Sequence, residues 1–339
     1  GMFKQQIKEL WRLCFNDSEA FTELYFTHRY NNEVNICIQS GEMVISAMQT
    51  LPYPMTFCNN TIPTAYVSGA CTHPDYQGRG VMRELLSQAF GRMQSQGVLL
   101  STLIPATDHL FDYYKKSGYA AVFDYMVETL LPEDLSYGKK DLKITSSADF
   151  QEDVYAYLAA KMEERSCCIQ HTAADFKVVL ADLALSGGEV FVATSGKSIC
   201  GIAVAYSKEQ TLQVNELLTD SNEVEQALLL AACERWNCRK LSVIRPYKQE
   251  ANRRRLGMVR IIDAKRVLQL YAAANPQVEM NMELTDSLLA ANNGYFYINN
   301  GKCMKSEERL PGSHERFSIE ALALKIFLPL KPYMSLMLN

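Results

Sequence analysis

A run of glycine, small and polar residues directly before a predicted helix has the composition of an anion-binding loop. It reads Ala70-Cys71-Thr72-His73-Pro74-Asp75-Tyr76-Gln77-Gly78-Arg79-Gly80-Val81-Met82. Gly78 and Gly80 allow the backbone to approach a ligand closely, and the free amides of a helix N-terminus attract phosphate groups. Arg79 adds a positive charge. The alternative interpretation is an ordinary glycine-rich turn, because a lone Gly-x-Gly is a weak signal.

The elements around this loop follow from the spacing of apolar residues. Two short helices are predicted within residues 4–30, with Asp17 or Ser18 capping the second. An antiparallel meander follows, with strands at Val34–Gln39, Glu42–Leu51 and Ala65–Thr72. After Pro74 the spacing becomes helical, and the apolar run Val98–Ile104 then predicts a buried strand. The loop therefore lies inside a strand, helix, strand crossover.

The same order of elements is repeated further along the chain. After a helix at Leu110–Lys116 and a strand at Tyr119–Leu130, the repeat begins near Gly138. Its predicted helices and strands are Phe150–Arg165, Ala173–Leu185, Val190–Thr194, Ile199–Ser207, Thr211–Leu218, Glu223–Trp236 and Lys240–Pro246. A third segment contains strands at Val267–Tyr271, Gln277–Leu284 and Tyr295–Ile298 and a helix at Ser318–Leu328. We therefore expect three domains, covering residues 1–137, 138–262 and 263–339.

Composition restricts the classes of partner. The 339 residues include 34 Lys and Arg against 38 Asp and Glu, a formal net charge of −4. Such a chain lacks the positive surface that a nucleic acid requires, and no segment reads as a bilayer span. The ten cysteines form no C-x-x-C pair, which predicts reduced core thiols and no metal site. We expect a cytoplasmic protein with neither nucleic acid nor membrane as partner.

The glycine-rich loop resembles the pyrophosphate loop of the GNAT acetyltransferase superfamily. In that pattern Gln or Arg, two residues, Gly, one residue and then Gly or Ala hold acetyl-coenzyme A. Gln77 and Gly80 match it, and Met82 departs from it at the last position. The resemblance implies acetyl-coenzyme A as co-substrate and no metal, with contacts from the loop and the preceding strand end: Ala70, Cys71, Thr72, Gln77, Gly78, Arg79, Gly80, Val81 and Met82.

A second string resembles the other signature of the superfamily, a helix that ends in Tyr, three residues, Gly and an aromatic residue. It reads Phe111-Asp112-Tyr113-Tyr114-Lys115-Lys116-Ser117-Gly118-Tyr119. In that register Tyr114 is the catalytic tyrosine beside the cofactor sulfur. The reference pKa of a phenol, about 10, lies above that of a thiol, about 8.5, so Tyr114 is protonated at neutral pH and can donate to the departing thiolate. The alternative is a core aromatic residue. Asp108, His109 and Asp112 are candidates for an acceptor pocket, or else solvated surface residues.

The whole organisation is similar to the enhanced-intracellular-survival (Eis) acetyltransferases. This similarity implies a mixed α/β (α+β) fold with two tandem GNAT-like domains and a smaller sterol-carrier-protein-like C-terminal domain. It also implies a homo-oligomer. In the second copy the loop position reads Leu217-Leu218-Thr219-Asp220-Ser221-Asn222-Glu223-Val224, without glycine and with two acidic residues. Because carboxylates repel a pyrophosphate, we expect one active site, in the first domain.

The apolar tail Pro332–Asn339 is expected to pack against the protein rather than to fray. By the same resemblance, the carboxylate of Asn339 is the base that deprotonates the acceptor amine. The alternative is a terminal strand that completes a sheet.

Functions from three classes stay open. The resemblance implies an N-acetyltransferase that moves an acetyl group from acetyl-coenzyme A directly to a primary amine on a small molecule or peptide. The others are a coenzyme A sensor without turnover and a lipid or sterol carrier built on the third segment. Cys71 as an acyl-accepting nucleophile is disfavoured, because no His and acid pair is positioned in the sequence to activate it.

Overall fold

The computed structural model of the chain describes residues 2–136 and 141–338. The α-helices of this part of the chain are α1 Met2–Cys14, α2 Glu19–His28, α3 Val81–Ser95, α4 Leu110–Lys115, α5 Glu152–Glu163, α6 Ala173–Leu185, α7 Asn222–Trp236, α8 Ala264–Ala274 and α9 Ile319–Phe327. Its strands are β1 Asn35–Ser40, β2 Met43–Phe57, β3 Asn60–Thr72, β4 Leu100–Leu103, β5 Ala120–Leu130, β6 Leu142–Ser147, β7 Cys168–Ile169, β8 Glu189–Ser195, β9 Ser198–Lys208, β10 Thr211–Thr219, β11 Lys240–Arg245, β12 Arg254–Ile261, β13 Met280–Thr285, β14 Gly294–Asn299, β15 Lys302–Ser306 and β16 Glu315–Ser318.

The chain forms two compact units. The first comprises Gly1–Phe123 and Arg255–Pro332, and the second comprises Asp124–Arg254 and Tyr333–Leu338. The predicted mixed α/β fold class is confirmed, since helices alternate with sheets that contain both parallel and antiparallel pairs. The three predicted domains, 1–137, 138–262 and 263–339, stay a prediction.

The first unit is built on a sheet with the strand order β1-β2-β3-β4-β12. β1, β2 and β3 are antiparallel neighbours, whereas β3 and β4 run parallel. Successive side chains of a strand point to opposite faces. Accordingly, Met48 packs with buried residues of α3 in one core, while Ala47 and Cys71 pack with buried residues of α1 and α2 in another.

The third segment of the chain contributes a smaller sheet to the same unit, with the strand order β15-β14-β13-β16. β13 and β16 are parallel, and the other two pairs are antiparallel. α8 contacts β15, and α9 contacts β16 and β13. A sterol-carrier-like identity for this segment stays a prediction.

The second unit contains a sheet with the strand order β5-β11-β10-β9-β8-β6. β10 and β11 are parallel, and β9 and β10 are antiparallel, so the pairing of β2, β3 and β4 is repeated. The tail residues also belong to this unit. The Tyr333 amide donates to the Cys167 carbonyl, and the Ile169 amide donates to the Tyr333 carbonyl, at 3.0 and 3.1 Å. The apolar tail is therefore packed against the protein, as its sequence predicts.

Two differences between expectation and structure have clear physical reasons. The sequence predicts that one strand ends at Leu51 and the next begins at Ala65. Both strands are longer and form one continuous hairpin, because Cys58 and Asn59 adopt left-handed φ values of 47° and 65° and close a tight turn. The predicted strand Val267–Tyr271 is wrong, since these residues lie in α8. Asp263 caps that helix by accepting from the Arg266 amide. Its buried residues have helical spacing: Ala264, Val267, Leu268 and Ala272.

Several strands have no counterpart in the sequence prediction: β6, β7, β12, β15 and β16. β12 begins with adjacent arginines, which reads as a linker rather than as a strand. Its last residues, Met258–Ile261, pair with Leu100–Leu103 of β4 and are buried in the first unit.

Candidate active site

The last residues of β3 extend beyond the strand beside them. β3 and β4 pair in parallel from Thr64 opposite Leu100 to Val67 opposite Leu103. Among the described residues the ladder stops there, because β4 ends at Leu103 while β3 continues to Thr72. The edge of β3 that includes Ala70, Cys71 and Thr72 is therefore not paired with β4.

A bulge in β3 changes its direction within this stretch. The register with β2 shifts between Ala47 and Gln49, and Gly69 lies opposite the shift with a φ of 62°. A Cβ on Gly69 would lie 2.1 Å from the Trp11 ring, so only glycine fits against that indole. Bulges redirect the backbone and end strand pairing. Here the bulge lies directly before the residues that are predicted to meet the cofactor.

Polar contacts hold the end of β3 and the start of the loop. The Ser46 hydroxyl donates to the Cys71 carbonyl at 3.0 Å, and the His73 amide donates to the Ile45 carbonyl at 2.7 Å. The Gln77 side-chain amide donates to the Thr72 carbonyl at 3.1 Å. Gln77 therefore closes the loop back onto the strand end, a role that its motif position alone does not reveal.

The loop leads into α3 without a side-chain cap. Gly80 is the N-cap residue, with φ 78° and ψ 11°, and Gly78 has a φ of 76°. A Cβ on either glycine would meet no atom within 4 Å, so backbone conformation rather than crowding requires glycine here. The first amides of α3 therefore have no side-chain cap among the described residues, and uncapped amides at a helix N-terminus can bind an anion.

The other predicted residues of the loop have different surroundings. The Arg79 guanidinium lies 5.5 Å from the Tyr76 ring centre at the exposed tip of the loop. Val81 is half-buried in the first turn of α3. Met82 packs against the core between α3 and the sheet, which explains how a large residue is accommodated where the motif has Gly or Ala.

Tyr114 is buried in the last turn of α4, with 8% of its surface exposed. Its ring centre lies 5.3 Å from that of Tyr113 and 5.8 Å from that of Tyr119. Burial raises the pKa of the Tyr114 phenol, with smaller contributions from Tyr113 and Cys71. Tyr114 lies in the same core as Val67 of β3, and Ala70 near the end of that strand packs against this core. Within residues 2–136 and 141–338 its hydroxyl makes no hydrogen bond.

The Cys71 thiol is held in its protonated form. The pKa of Cys71 is raised well above its usual value, mainly by a hydrogen bond with the Cys14 thiol and secondly by burial. Cys14 also donates to the Thr72 carbonyl at 3.5 Å. Since the thiolate is the nucleophile, this environment counts against Cys71 as an acyl acceptor.

The predicted acceptor residues lie at the surface, and the predicted base is outside the described residues. Asp108 is exposed and accepts from Arg255 at 2.9 Å, while His109 and Asp112 are also exposed. Asn339 falls outside the described residues, so its role stays a prediction. In the described part of the chain, no three His, Cys, Asp or Glu side chains are grouped to hold a metal ion. None of the described helices has the length and apolarity to cross a membrane.

Two contributors to the site were missed from the sequence. A glycine inside a strand pattern, as at Gly69, is a signal for a bulge that could have been used. Ser46, which fixes the end of β3, carries no comparable signal, because its partner lies 25 residues further along the chain.

Comparison with known proteins agrees with this geometry. Residues 3–122 match the family described as acetyltransferase (GNAT) domain. The loop at the start of α3 and the separating strands β3 and β4 lie within that match. No curated protein sequence matches the chain.

Nearly the whole chain shares its fold with several solved structures. A GCN5-related N-acetyltransferase from Anabaena variabilis covers 97% of this chain and 96% of its own, at 18% identity and a TM-score of 0.78. The corresponding protein from Kribbella flavida covers 99% and 95%, at 17% identity and 0.77. Eis1 from Mycobacterium abscessus covers 96% and 87%, at 14% identity and 0.74. The chain therefore has the fold of these proteins, Eis1 among them, and its residues 3–122 match the GNAT domain family.

Proposed function

We propose that the protein transfers an acetyl group from acetyl-coenzyme A to a primary amine, with both substrates bound together. The GNAT match supports acyl transfer from an acyl-coenzyme A as the class of reaction. The observation that carries the proposal is the N-terminus of α3. Its cap residue, Gly80, offers no side chain to the first amides, and it follows a strand end that is not paired with β4.

Backbone groups would hold the co-substrate. The amides from Gly78 to Met82 donate to the diphosphate, and Arg79 adds a positive charge at the mouth of the loop. Bound acetyl-coenzyme A supplies a thioester whose carbonyl carbon an amine can attack. Amides in the stretch Ala70–Thr72 would donate to the carbonyl oxygen, where negative charge develops during transfer.

Tyr114 would protonate the leaving sulfur. As the bond from carbon to nitrogen forms, the bond from carbon to sulfur breaks, and the phenol proton moves to the thiolate. The amine proton leaves to a base and solvent, from which the phenol recovers its own proton. Because burial raises the pKa of Tyr114, the phenol is protonated throughout the neutral range. The base stays unassigned in the described residues, and Asn339 remains the predicted one.

A thiol-release assay with acetyl-coenzyme A and a panel of small amines and amine-bearing peptides tests this proposal. We expect wild-type protein to release coenzyme A only with an acceptor. Tyr114→Phe should lower kcat by about a hundredfold, because general acids contribute at least that much, and should leave the dissociation constant for acetyl-coenzyme A unchanged.

Tyr113→Phe is the matched control. This neighbouring residue is 38% exposed and lies on the same short helix, and its loss should leave kcat unchanged. An equal fall in both variants would show that Tyr114 supports structure rather than proton transfer. Binding of acetyl-coenzyme A without turnover on any amine would instead favour the sensor.

A further inference from the structure

Arg260 is a fully buried cation in the first unit, with 1% of its surface exposed. Its guanidinium forms a bidentate ion pair with Asp286, with Nη1 and Nη2 donating at 2.5 and 2.6 Å. Nη1 also donates to the Ile261 carbonyl at 3.0 Å. Burying two charges costs desolvation energy, so this pair is weak evidence for stabilisation of the fold. Its fixed geometry is the feature to explain.

Asp286 is itself held rigidly in the third segment. It accepts from the amides of Leu288 and Leu289 at 3.0 and 3.1 Å, and from the Asn292 side chain at 2.9 Å. Burial acts to raise the pKa of Asp286, but the hydrogen bonds from Arg260 and Asn292 outweigh it and lower the pKa below the usual value. The carboxylate therefore stays charged and keeps Arg260 in place at neutral pH.

On its other side, Arg260 holds the turn that ends the helix of Tyr114. Its Nε donates to the Ser117 carbonyl at 3.2 Å. The amides of Ser117 and Tyr119 both donate to the Tyr114 carbonyl, at 2.9 and 3.2 Å. A Cβ on Gly118 would lie 2.8 Å from Nε, so the glycine of the second motif allows this turn to rest directly on the guanidinium.

The same guanidinium also contacts α3, the helix that begins at the pyrophosphate loop. Its central carbon lies 4.7 Å from the Phe90 ring centre. The Phe90 ring lies 5.8 Å from that of Tyr119, which in turn lies 5.8 Å from that of Tyr114. One side chain thus contacts both the helix predicted to bind the diphosphate and the turn that carries the predicted acid.

We propose that Arg260 is a positioning residue that, held by Asp286, fixes Tyr114 relative to α3. This inference rests on the proposed acetyltransferase function. The planar guanidinium presents donors in a rigid fork, so it can join Asp286 and the Ser117 carbonyl at a set angle, which a lysine cannot do. The third segment therefore acts on the reaction through the placement of the acid.

The test is the double variant Arg260→Met with Asp286→Leu, which removes both charges and leaves neither one buried alone. We expect kcat to fall about tenfold, since small misplacements far from the chemistry have effects of this size or larger. The dissociation constant for acetyl-coenzyme A should not change, because the loop amides are intact. In the Tyr114→Phe background the same double variant should cause no further loss of kcat.

The background comparison separates positioning from general structural support. If the double variant lowered kcat by the same factor with and without Tyr114, the inference would be wrong and the acetyltransferase proposal would stand. If wild-type protein released no thiol with any amine, both would be wrong. Arg260→Lys keeps the buried charge, and it takes over the test if circular dichroism shows that the double variant does not fold. The matched control is Arg245→Met with Glu225→Leu, a partly buried pair of the second unit, for which we expect unchanged kcat.

Discussion

Each of the two units contains a junction between a strand and a helix at the corresponding place, and the two junctions differ in length, charge and helix capping. In the first unit, residues 73–80 separate β3 from α3, and in the second, residues 220 and 221 alone separate β10 from α7. Both strands are antiparallel to the preceding strand and parallel to the following one. The difference therefore lies in the residues of the junction and not in the pairing of the strands.

The helix caps show the difference most directly. Gly80 leaves the first amides of α3 without a side-chain partner, whereas the Ser221 hydroxyl accepts from the Val224 amide at 3.3 Å. Asp220 adds a carboxylate that accepts from Tyr157 and Lys161, and α7 has two acidic residues in its first turn. A satisfied and acidic helix N-terminus has little affinity for a diphosphate.

The two strand bulges differ in the same way. Gly69 lies in the bulge of β3, while Glu216 follows the register shift in β10 and is 1% exposed. Glu216 accepts from Arg165 at 2.8 and 2.9 Å and from the Ser335 hydroxyl of the tail. The second unit thus uses the residue after its bulge to anchor a segment of its own chain.

The largest predicted effect concerns this anchored tail. Arg165→Met leaves the Glu216 carboxylate buried without its cation, and such a change costs about 3 kcal/mol of the free energy of unfolding. We expect urea denaturation to show this loss, while the dissociation constant for acetyl-coenzyme A stays the same because the loop of the first unit is untouched. Arg12→Met, which removes an exposed pair with Glu19, should leave the denaturation curve unchanged.

Arg165→Met could instead weaken acetyl-coenzyme A binding as strongly as it lowers stability. That result would contradict the assignment of ligand binding to the first junction and of tail anchoring to the second. The anchor in the second unit would then contribute to ligand binding.

A smaller effect is expected when the two caps are exchanged for alanine. Gly80→Ala forces a left-handed backbone on a residue with a Cβ, at a cost of about 1 to 2 kcal/mol, so the loop amides must move. We expect the dissociation constant for acetyl-coenzyme A to rise about tenfold, which corresponds to about 1.4 kcal/mol. Ser221→Ala should lower the free energy of unfolding by about 1 kcal/mol. It should leave the dissociation constant for acetyl-coenzyme A unchanged, and calorimetric titration measures this constant for both variants.

These two cap variants control for each other, because both alter the first turn of a helix that follows a strand. If both variants changed the dissociation constant for acetyl-coenzyme A equally, the ligand would not bind at the start of α3.

The sequence predicts features that depend on residues close together in the chain. It does not predict features that depend on contacts between distant residues. The loop from Gln77 to Met82 and the second motif are short runs, so their positions at a helix start and a helix end could be predicted. The strand predicted at Val267–Tyr271 is wrong because a short apolar run fits either a strand or a helix, although Asp263 is a signal for a helix cap. Arg260 could not be found, because its contacts with Asp286 and Ser117 join residues far apart in the chain.

The smallest expected effect tests whether the end of β3 acts through its backbone. Cys71→Ala removes a thiol whose pKa is raised well above the usual value by Cys14 and by burial, so little thiolate is lost at neutral pH. The backbone of Ala70–Thr72 is held by Ser46 and Gln77, and it should keep its place. We expect kcat in the thiol-release assay to stay within about twofold of wild type, since no step of the proposed chemistry needs the sulfur. If folded Cys71→Ala lost as much kcat as Tyr114→Phe, the end of β3 would contribute a side chain to the reaction. Backbone differences alone would then not distinguish the two junctions.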